Sequence, residues 1–378
     1  MKVSCLQENL AKGLNIVSRA VASRTATLPV LTHVLLATDN GRLKIAATNL
    51  ELGINCWIGA KVEEEGAITI PARTFSELVA LLPTDRIELE VSVRTSTLRV
   101  MSNRSDNNIK GIDAQEFPII PRFNPDHAAY IEPDALKRII NRVVFSAATD
   151  ENRPMLTGVN TKLEDDTITM TASDGFRLSR ATAKLKEPAL EPLVALIPAK
   201  AVAEVARVMG DQKEPVAISI TPSRGQVLFH MENTDIVAQL VDQRFPDVEA
   251  IIPKRQETRT IVNTADLLRA CRRAQIFARE ASDITRLKIA PSEDVEPGKV
   301  TVTARADETG DNQTDLEATV VGTEIEIGFN VKYLVDVLSV IDTPQVAIET
   351  TQTRAPGVLK PVGDDTFLHV VMPMHLPK

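Results

Sequence analysis

The chain has 378 residues, with 43 Lys and Arg against 51 Asp and Glu, for a formal charge of −8. Hydrophobic residues make up 43% of it and charged residues 25%, the proportions of a soluble globular chain of two or three domains, each able to bury a core. Ten Phe, two Tyr and one Trp are too few for a platform that stacks exposed bases; sixteen Gly without a Gly-rich run argue against a phosphate-cradling loop; and three scattered cysteines (5, 56 and 271) imply neither a disulfide framework nor a Cys-based zinc site. The expected compartment is a reducing cytosol. The opening residues lack the apolar core of a signal peptide, and no apolar run approaches the ~20 residues of a membrane helix, so no membrane contact is expected.

The first third predicts a helix over about 7–22, with Leu10, Leu14, Val17 and Val21 opposing Lys12, Asn15 and Arg19. Next comes Thr27-Leu28-Pro29-Val30-Leu31. A shorter helix follows Ile70-Pro71-Ala72-Arg73, with Pro expected at its first position. Residues 86–93 alternate, placing Ile87, Leu89, Val91 and Val93 on one strand face. Residues 104–112 are a candidate sheet edge. Phe117-Pro118-Ile119-Ile120-Pro121 then leads into a polar linker from Arg122 to Ala128.

The same phrases return. Asn152-Arg153-Pro154-Met155-Leu156 resembles the 27–31 phrase. Ile197-Pro198-Ala199-Lys200 follows Ile70 at an offset of 127, and Phe329-Asn330-Val331-Lys332 is a weaker third copy. Phe245-Pro246 through Ile252-Pro253 answers Phe117 to Pro121 before a second linker, Lys254 to Arg259, and Met372-Pro373-Met374 closes the series. Each third opens with a longer helix; the second and third copies cover about 134–148 and 265–280. In the second, Leu136, Ile139, Ile140, Val143 and Ala147 oppose Arg138, Asn141 and Arg142. In the third, Arg269, Arg272 and Arg273 share one face, opposite Leu267, Leu268, Cys271, Ala274 and Ala278. Alternation at Val300 and Val302, and at Ile325 and Ile327, predicts antiparallel strands. Residues 307–315 read as an exposed loop, and Asp174-Gly175 as a turn at a strand end.

The helices together hold thirteen cations against seven anions, although the chain is acidic overall. Such faces meet phosphates without reading sequence, while the acidic remainder repels nucleic acid elsewhere. There is no nucleophile-elbow, phosphate-loop, dinucleotide or zinc-protease motif, and the five His are scattered. A hydrolase using Asp174 and a distant His lacks a nameable nucleophile, base and oxyanion donor. The alternative is a β-rich repeat scaffold that binds proteins only; it leaves three basic helix faces without a purpose.

In their order and spacing, Leu28-Pro29-Val30-Leu31, Ile70-Pro71-Ala72-Arg73, Ser173-Asp174-Gly175-Phe176-Arg177-Leu178, Arg244-Phe245-Pro246-Asp247, Ile327-Gly328-Phe329-Asn330 and Val370-Val371-Met372-Pro373-Met374 resemble the bacterial DNA polymerase III beta subunit, the sliding-clamp family, over essentially the whole length. The resemblance implies an α+β fold of three repeated DNA-clamp domains, 1–123, 128–254 and 256–378. Antiparallel sheets would lie outside and helices would line a central hole in a head-to-tail dimeric ring. It implies a non-catalytic processivity factor of DNA replication, cytoplasmic and nucleoid-associated, that slides on double-stranded DNA without reading sequence. Its partners would be the replicative polymerase alpha subunit, a clamp loader, and other polymerases and repair proteins; it would need no cofactor and no metal. The partner-peptide pocket maps to Leu156, Ser173, Gly175, Phe176, Arg177, Leu178, Pro246, Ile251, Gly357, Val370, Met372, Pro373 and Met374. DNA contact maps to Arg24, Arg73, Asp150, Arg153, Pro154, Met155 and Lys200. Ala250 stands where the family often has Arg, and Asn107 and Asn108 are polar where it can be apolar. The dimer edges are expected at Arg104–Ile112 and Lys299–Arg305.

Overall fold

The computed structural model describes all residues except 24–27, 222, 224, 281, 293–296 and 377–378. The described chain forms two compact units. One comprises Met1–Pro133, Leu185–Glu191 and Lys200–Leu240; the other comprises Asp134–Lys184, Pro192–Ala199 and Val241–Lys378. The middle third is therefore shared between the units.

In the first unit an eight-stranded antiparallel sheet runs in the order Ala129–Ile131, Val216–Ile220, Gln226–Met231, Thr234–Gln239, Leu52–Gly59, Arg42–Thr48, His33–Asp39 and Ala67–Pro71. Its junction between first and middle thirds is a regular ladder, with Ile236 opposite Ile54. A five-stranded sheet orders Lys61–Glu64, Lys2–Leu6, Arg86–Ser92, Thr97–Ser102 and Ser105–Lys110. The second unit holds a twelve-stranded sheet. From Leu193–Pro198 it passes through Gly158–Glu164, Thr167–Ser173 and Arg177–Lys184 to Phe367–Val371, Gly357–Pro361, Gln345–Thr350 and Thr258–Asn263. It ends with Gly310–Val321, Lys299–Ala306, Ile284–Ala290 and Ile325–Asn330.

Six α-helices lie among the described residues: α1 (Gln7–Val17), α2 (Ala72–Leu81), α3 (Pro133–Val143), α4 (Ala199–Met209), α5 (Thr264–Ala278) and α6 (Val331–Leu338). The apolar stripes are buried as the period predicts: Leu10, Leu14 and Val17 in α1, Leu136, Ile139, Ile140 and Val143 in α3, Leu267, Cys271, Ala274 and Ala278 in α5. Both α1 and α3 stop earlier than expected, because each tightens into a 3₁₀ turn, Ser18–Ala20 and Val144–Ser146. Pro71 and Pro198 end strands and precede α2 and α4, not opening them. In α5 and α6 the cap is Asn, with the Asn263 and Asn330 side chains accepting from the Asp266 and Lys332 backbone N–H at 3.0 and 2.9 Å.

Four strand expectations are corrected. Val93 leaves the strand face and is exposed in a 3₁₀ turn. Thr258 and Arg259 belong to a strand and not to the linker. The polar stretch 310–315 is the start of a strand, laddered from Ala306↔Gly310 to Lys299↔Glu317. Its acids Asp311, Asp315 and Glu317 are exposed. Lys299–Arg305 is no edge, because it pairs on both sides. The open flank belongs to 310–317, since Thr258–Asn263 pairs only with Ala318 onward. Ser105–Lys110 does lie at a sheet edge.

Candidate functional site

The helical cations divide into exposed and committed groups. Lys12 and Arg19, and Arg272 and Arg273 on α5, are exposed and make no ion pair among the described residues. Arg73 is held by Glu77 at 2.7 Å, one helical turn on. Arg269 pairs with Asp266. Arg207 pairs with Glu204 and donates to the Ile16 carbonyl at 3.0 Å; Lys332 reaches Asp283 at 2.7 Å. Arg138 stays exposed 3.7 Å from Asp342. Arg142 corrects the sequence reading of a polar helix face. Its side chain is 1% exposed, with Nη2 2.9 Å from Asp342, Nη1 2.9 Å from Asp364, and the guanidinium 5.3 Å from the Phe367 ring centre. Of the expected DNA contacts, Arg24 lies outside the described residues. Lys200 is an exposed residue of the first turn of α4.

An apolar surface forms in the second unit. Strand register places Ser173 opposite Leu178, Leu178 opposite Val370 and Val370 opposite Val358, one row on one sheet face. Leu178, Val358, Val370 and Val248 form a buried cluster, with Phe245, Ile252 and Leu368 packed on it. Around it Phe176, Ile251, Met372 and Met155 remain 37–56% exposed, and Leu156 is buried. Large apolar side chains left at a surface beside a buried apolar row make this a candidate interaction site.

The turn that presents Phe176 is tightly specified. The Ser173 hydroxyl donates to the Arg177 carbonyl at 2.8 Å and accepts from the Gly175 N–H at 3.1 Å. Asp174 Oδ1 accepts from the Phe176 and Arg177 N–H groups at 2.9 and 3.0 Å. Gly175 has φ +93°, a left-handed conformation natural to glycine. The Met372 N–H donates to the Phe176 carbonyl at 2.9 Å. Pro246 is exposed between Phe245 and Val248. Beyond Pro373 the tail bridges to an edge strand, Met374 N–H to Gly328 carbonyl at 2.8 Å. A Cβ on Gly328 would stand 2.6 Å from Leu376 Cδ2, so Leu376 rests directly on bare backbone.

Two expected pocket residues face the other way. Arg177, Val371 and Gly357 form the adjacent row, and side chains one residue apart in a strand point to opposite faces. Arg177 is engaged there by Asp174 at 3.0 Å, Asp336 at 2.5 Å and the Phe145 carbonyl at 2.6 Å, 4.4 Å from the Tyr333 ring centre. A Cβ on Gly357 would meet the Phe329 ring at 2.6 Å. The residue facing the cluster is Val358. Val358, Val248, Phe245 and Ile252 were missed by sequence reasoning, although the Phe245-to-Pro253 phrase marked three of them.

Asp150 and Arg153 partly neutralise each other at 3.9 Å, and Asp150 also caps Asn152. Arg153 donates to the Asp174 carbonyl at 3.1 Å, which ties it to the apolar surface; the 3₁₀ turn Pro154–Leu156 follows directly.

Ser179 Oγ lies 2.7 Å from His369 Nδ1 and Ser146 Oγ 2.8 Å from Ser179 Oγ. Burial, assisted by the Arg177 charge, pushes the imidazole down to about 3. All three residues are inaccessible, so this chain of side chains meets no substrate. Burial pushes the Cys5 and Cys271 thiols up to about 12, leaving them unreactive. Among the described residues no three His, Cys, Asp or Glu side chains are grouped to hold a metal, and no helix is long and apolar enough to cross a membrane.

Three family models for the DNA polymerase III beta subunit match in succession: N-terminal domain at residues 1–121, central domain at 130–247, C-terminal domain at 249–375. The beta sliding clamp of Bacillus subtilis is 32% identical over 384 residues, covering 99% of each chain. The chain belongs to the beta sliding clamp family. The Synechococcus elongatus beta sliding clamp is 32% identical, covering 100% of both chains. The crystal structure of the Bacillus subtilis clamp superposes with a TM-score of 0.93 at 31% identity, covering 100% of both chains. A Pseudomonas aeruginosa clamp bound to griselimycin gives 0.90 at 28% identity, again covering 100% of each. The three antiparallel sheets and six helices described above are therefore those of the clamp fold.

Proposed function

We propose that this chain is a DNA sliding clamp: a non-catalytic processivity factor that encircles duplex DNA as a homodimeric ring and tethers the replicative polymerase. The observation that carries it is a set of exposed cations that make no ion pair among the described residues, Lys12 on α1, Arg19 in the 3₁₀ turn that follows it, and Arg272 and Arg273 on α5, on a chain of net charge −8 with the clamp fold. Cations confined to helix faces attract phosphates without base contacts, which allows sliding. Tethering makes each polymerase rebinding intramolecular, at high effective concentration.

Partners would dock through a short apolar peptide on the surface formed by Leu156, Ser173, Gly175, Phe176, Leu178, Pro246, Ile251, Val358, Val370 and Met372, with Pro373 and Met374 holding its edge. Arg177 braces the 173–178 turn from behind. Methionines suit a surface that accepts several partners. The clamp loader, other polymerases and repair proteins would use the same surface, in the cytoplasm at the nucleoid. Domain limits of 1–123, 128–254 and 256–378 agree with the repeated phrases. The dimer would pair the open edge at 105–110 with the open 310–317 flank of a second copy, hiding both edges. Polar Asn107 and Asn108 there favour a ring that opens readily, and sedimentation showing a dimer that persists at subnanomolar concentration counts against that.

The test is topological. The protein is loaded onto nicked circular DNA by a clamp loader with ATP, and the DNA is then linearised. A clamp stays on circles and runs off free ends. A scaffold that binds only proteins shows no dependence on ends, and that result would remove the reading.

A further inference from the structure

The turn that presents Phe176 has a counterpart in the first unit that matches it bond for bond. Thr48 Oγ1 donates to the Leu52 carbonyl at 3.0 Å and accepts from the Leu50 N–H at 3.0 Å, as Ser173 does with Arg177 and Gly175. Asn49 Oδ1 accepts from the Glu51 and Leu52 N–H groups at 3.1 and 2.8 Å, as Asp174 does. The Gln239 N–H donates to the Glu51 carbonyl at 2.8 Å, as Met372 does to Phe176. Behind the turn, Gly53, Val237 and Leu228 form the row that Leu178, Val370 and Val358 form in the second unit. A Pro-led 3₁₀ turn precedes each, Pro29–Thr32 and Pro154–Leu156.

The side chains differ at several positions, Gly53 standing where Leu178 does, but one difference falls on the left-handed residue of the turn itself. Where the second unit has Gly175 at φ +93°, the first has Leu50 at φ +76°. A leucine held in the left-handed region is strained and persists only where its surroundings impose it. Leu50 is 54% exposed, so burial of its side chain is not what keeps it there. At Gly175, a Cβ would stand 3.3 Å from Arg153 Nη1 and 4.0 Å from Leu156 Cδ1. A side chain there would stand against Arg153 and Leu156, which the docking reading places at the peptide surface. The lips differ as well: Glu51 and Gln239 stand where the open surface has Phe176 and Met372.

We propose that the first unit contains a second copy of the peptide cleft, shut in cis by Leu50, and that the absence of a side chain at Gly175 keeps the other copy open. This rests on the peptide-docking reading above and deepens it: each chain offers one peptide site because one of two equivalent turns carries leucine.

Griselimycin, the ligand held by the Pseudomonas aeruginosa clamp, serves as the probe in calorimetric titration of the full chain. The unaltered chain is expected to bind it at one site. Gly175→Leu should weaken binding at least ~100-fold, since an obstructed pocket has no room to repack. Leu50 shows that this turn can hold leucine at a cost in strain, so the variant should still fold and dimerise, with a lowered melting temperature. Should Gly175→Leu fail to fold, Gly175→Ala should still weaken binding about tenfold by the same obstruction. In the reverse direction, Leu50→Gly combined with Glu51→Phe and Gln239→Met should create a second site per chain. Unchanged affinity in the folded Gly175 variants, or a single site in the triple variant, overturns the inference while leaving the docking reading intact. An unaltered chain that binds no griselimycin overturns both.

Discussion

Arg142 and Asp342 face each other at 2.9 Å across 200 residues of sequence, and the arginine is almost wholly buried between Asp342, Asp364 and the Phe367 ring. Replacing Arg142 with Ala leaves Asp364 uncompensated. Breaking a buried pair costs ~3–5 kcal/mol; Asp342 is half in water, so about 2–4 kcal/mol is expected. Arg138→Ala, one turn earlier and exposed, should change stability by less than about 0.5 kcal/mol. Urea unfolding of the two variants checks the contrast, and equal losses would refute it.

His369 gives a pH dependence. Its imidazole is pushed down to about 3 in the folded chain, against 6.5 unfolded, so below pH 6.5 the unfolded chain binds a proton the folded chain refuses. The stabilisation is complete above pH 6.5 and falls by about 1.4 kcal/mol per pH unit toward 3. Melting curves between pH 7.5 and 4.5 should show a steeper decline for the native chain than for His369→Gln. Parallel curves would place the acid sensitivity elsewhere.

The exposed cations should act through salt. Each phosphate contact contributes about 0.9 to the slope of log affinity against log salt. Removing Lys12, Arg19, Arg272 or Arg273 should lower that slope by up to about this amount per residue, without altering the melt. Arg73→Ala should lower it less, because Glu77 already holds the guanidinium. Fluorescence anisotropy on duplex DNA across a salt series measures both.

The tail is the fourth test. Deleting Met372 to Lys378 removes an apolar lip and the bridge to Gly328, and leaves both proposed dimer edges untouched. Polymerase stimulation should vanish while sedimentation still reports a dimer. Undiminished stimulation would refute the docking surface.

Much of this was legible because the phrases that repeat are those that fix backbone. The 173–178 turn depends on a hydroxyl side chain followed by Asp or Asn, here Ser173 and Asp174, and the helices on a 3.6 period that buries Leu10 and Leu14 or Ala274 and Ala278. What escaped depends on distant partners or on register. Arg142 reads as a surface cation because its acids lie some two hundred residues on. Gly357 and Val358 are neighbours, and a one-residue step decides which faces the apolar row. The 310–317 edge hides because a strand with an open flank stays polar.

The sheets also determine which fragments could survive alone. Phe367–Val371 is hydrogen-bonded to Arg177–Lys184, and Leu52–Gly59 to Thr234–Gln239, so each junction between thirds is a continuous ladder. A protease nick in the loop after Pro253 would leave two polypeptides clasped side by side, migrating together until denatured. An isolated C-terminal third would instead bare the flank of Phe367–Val371 and adhere to its own kind. Gene rearrangement could therefore not exchange one third for a foreign relative without also exchanging the strand it leans on.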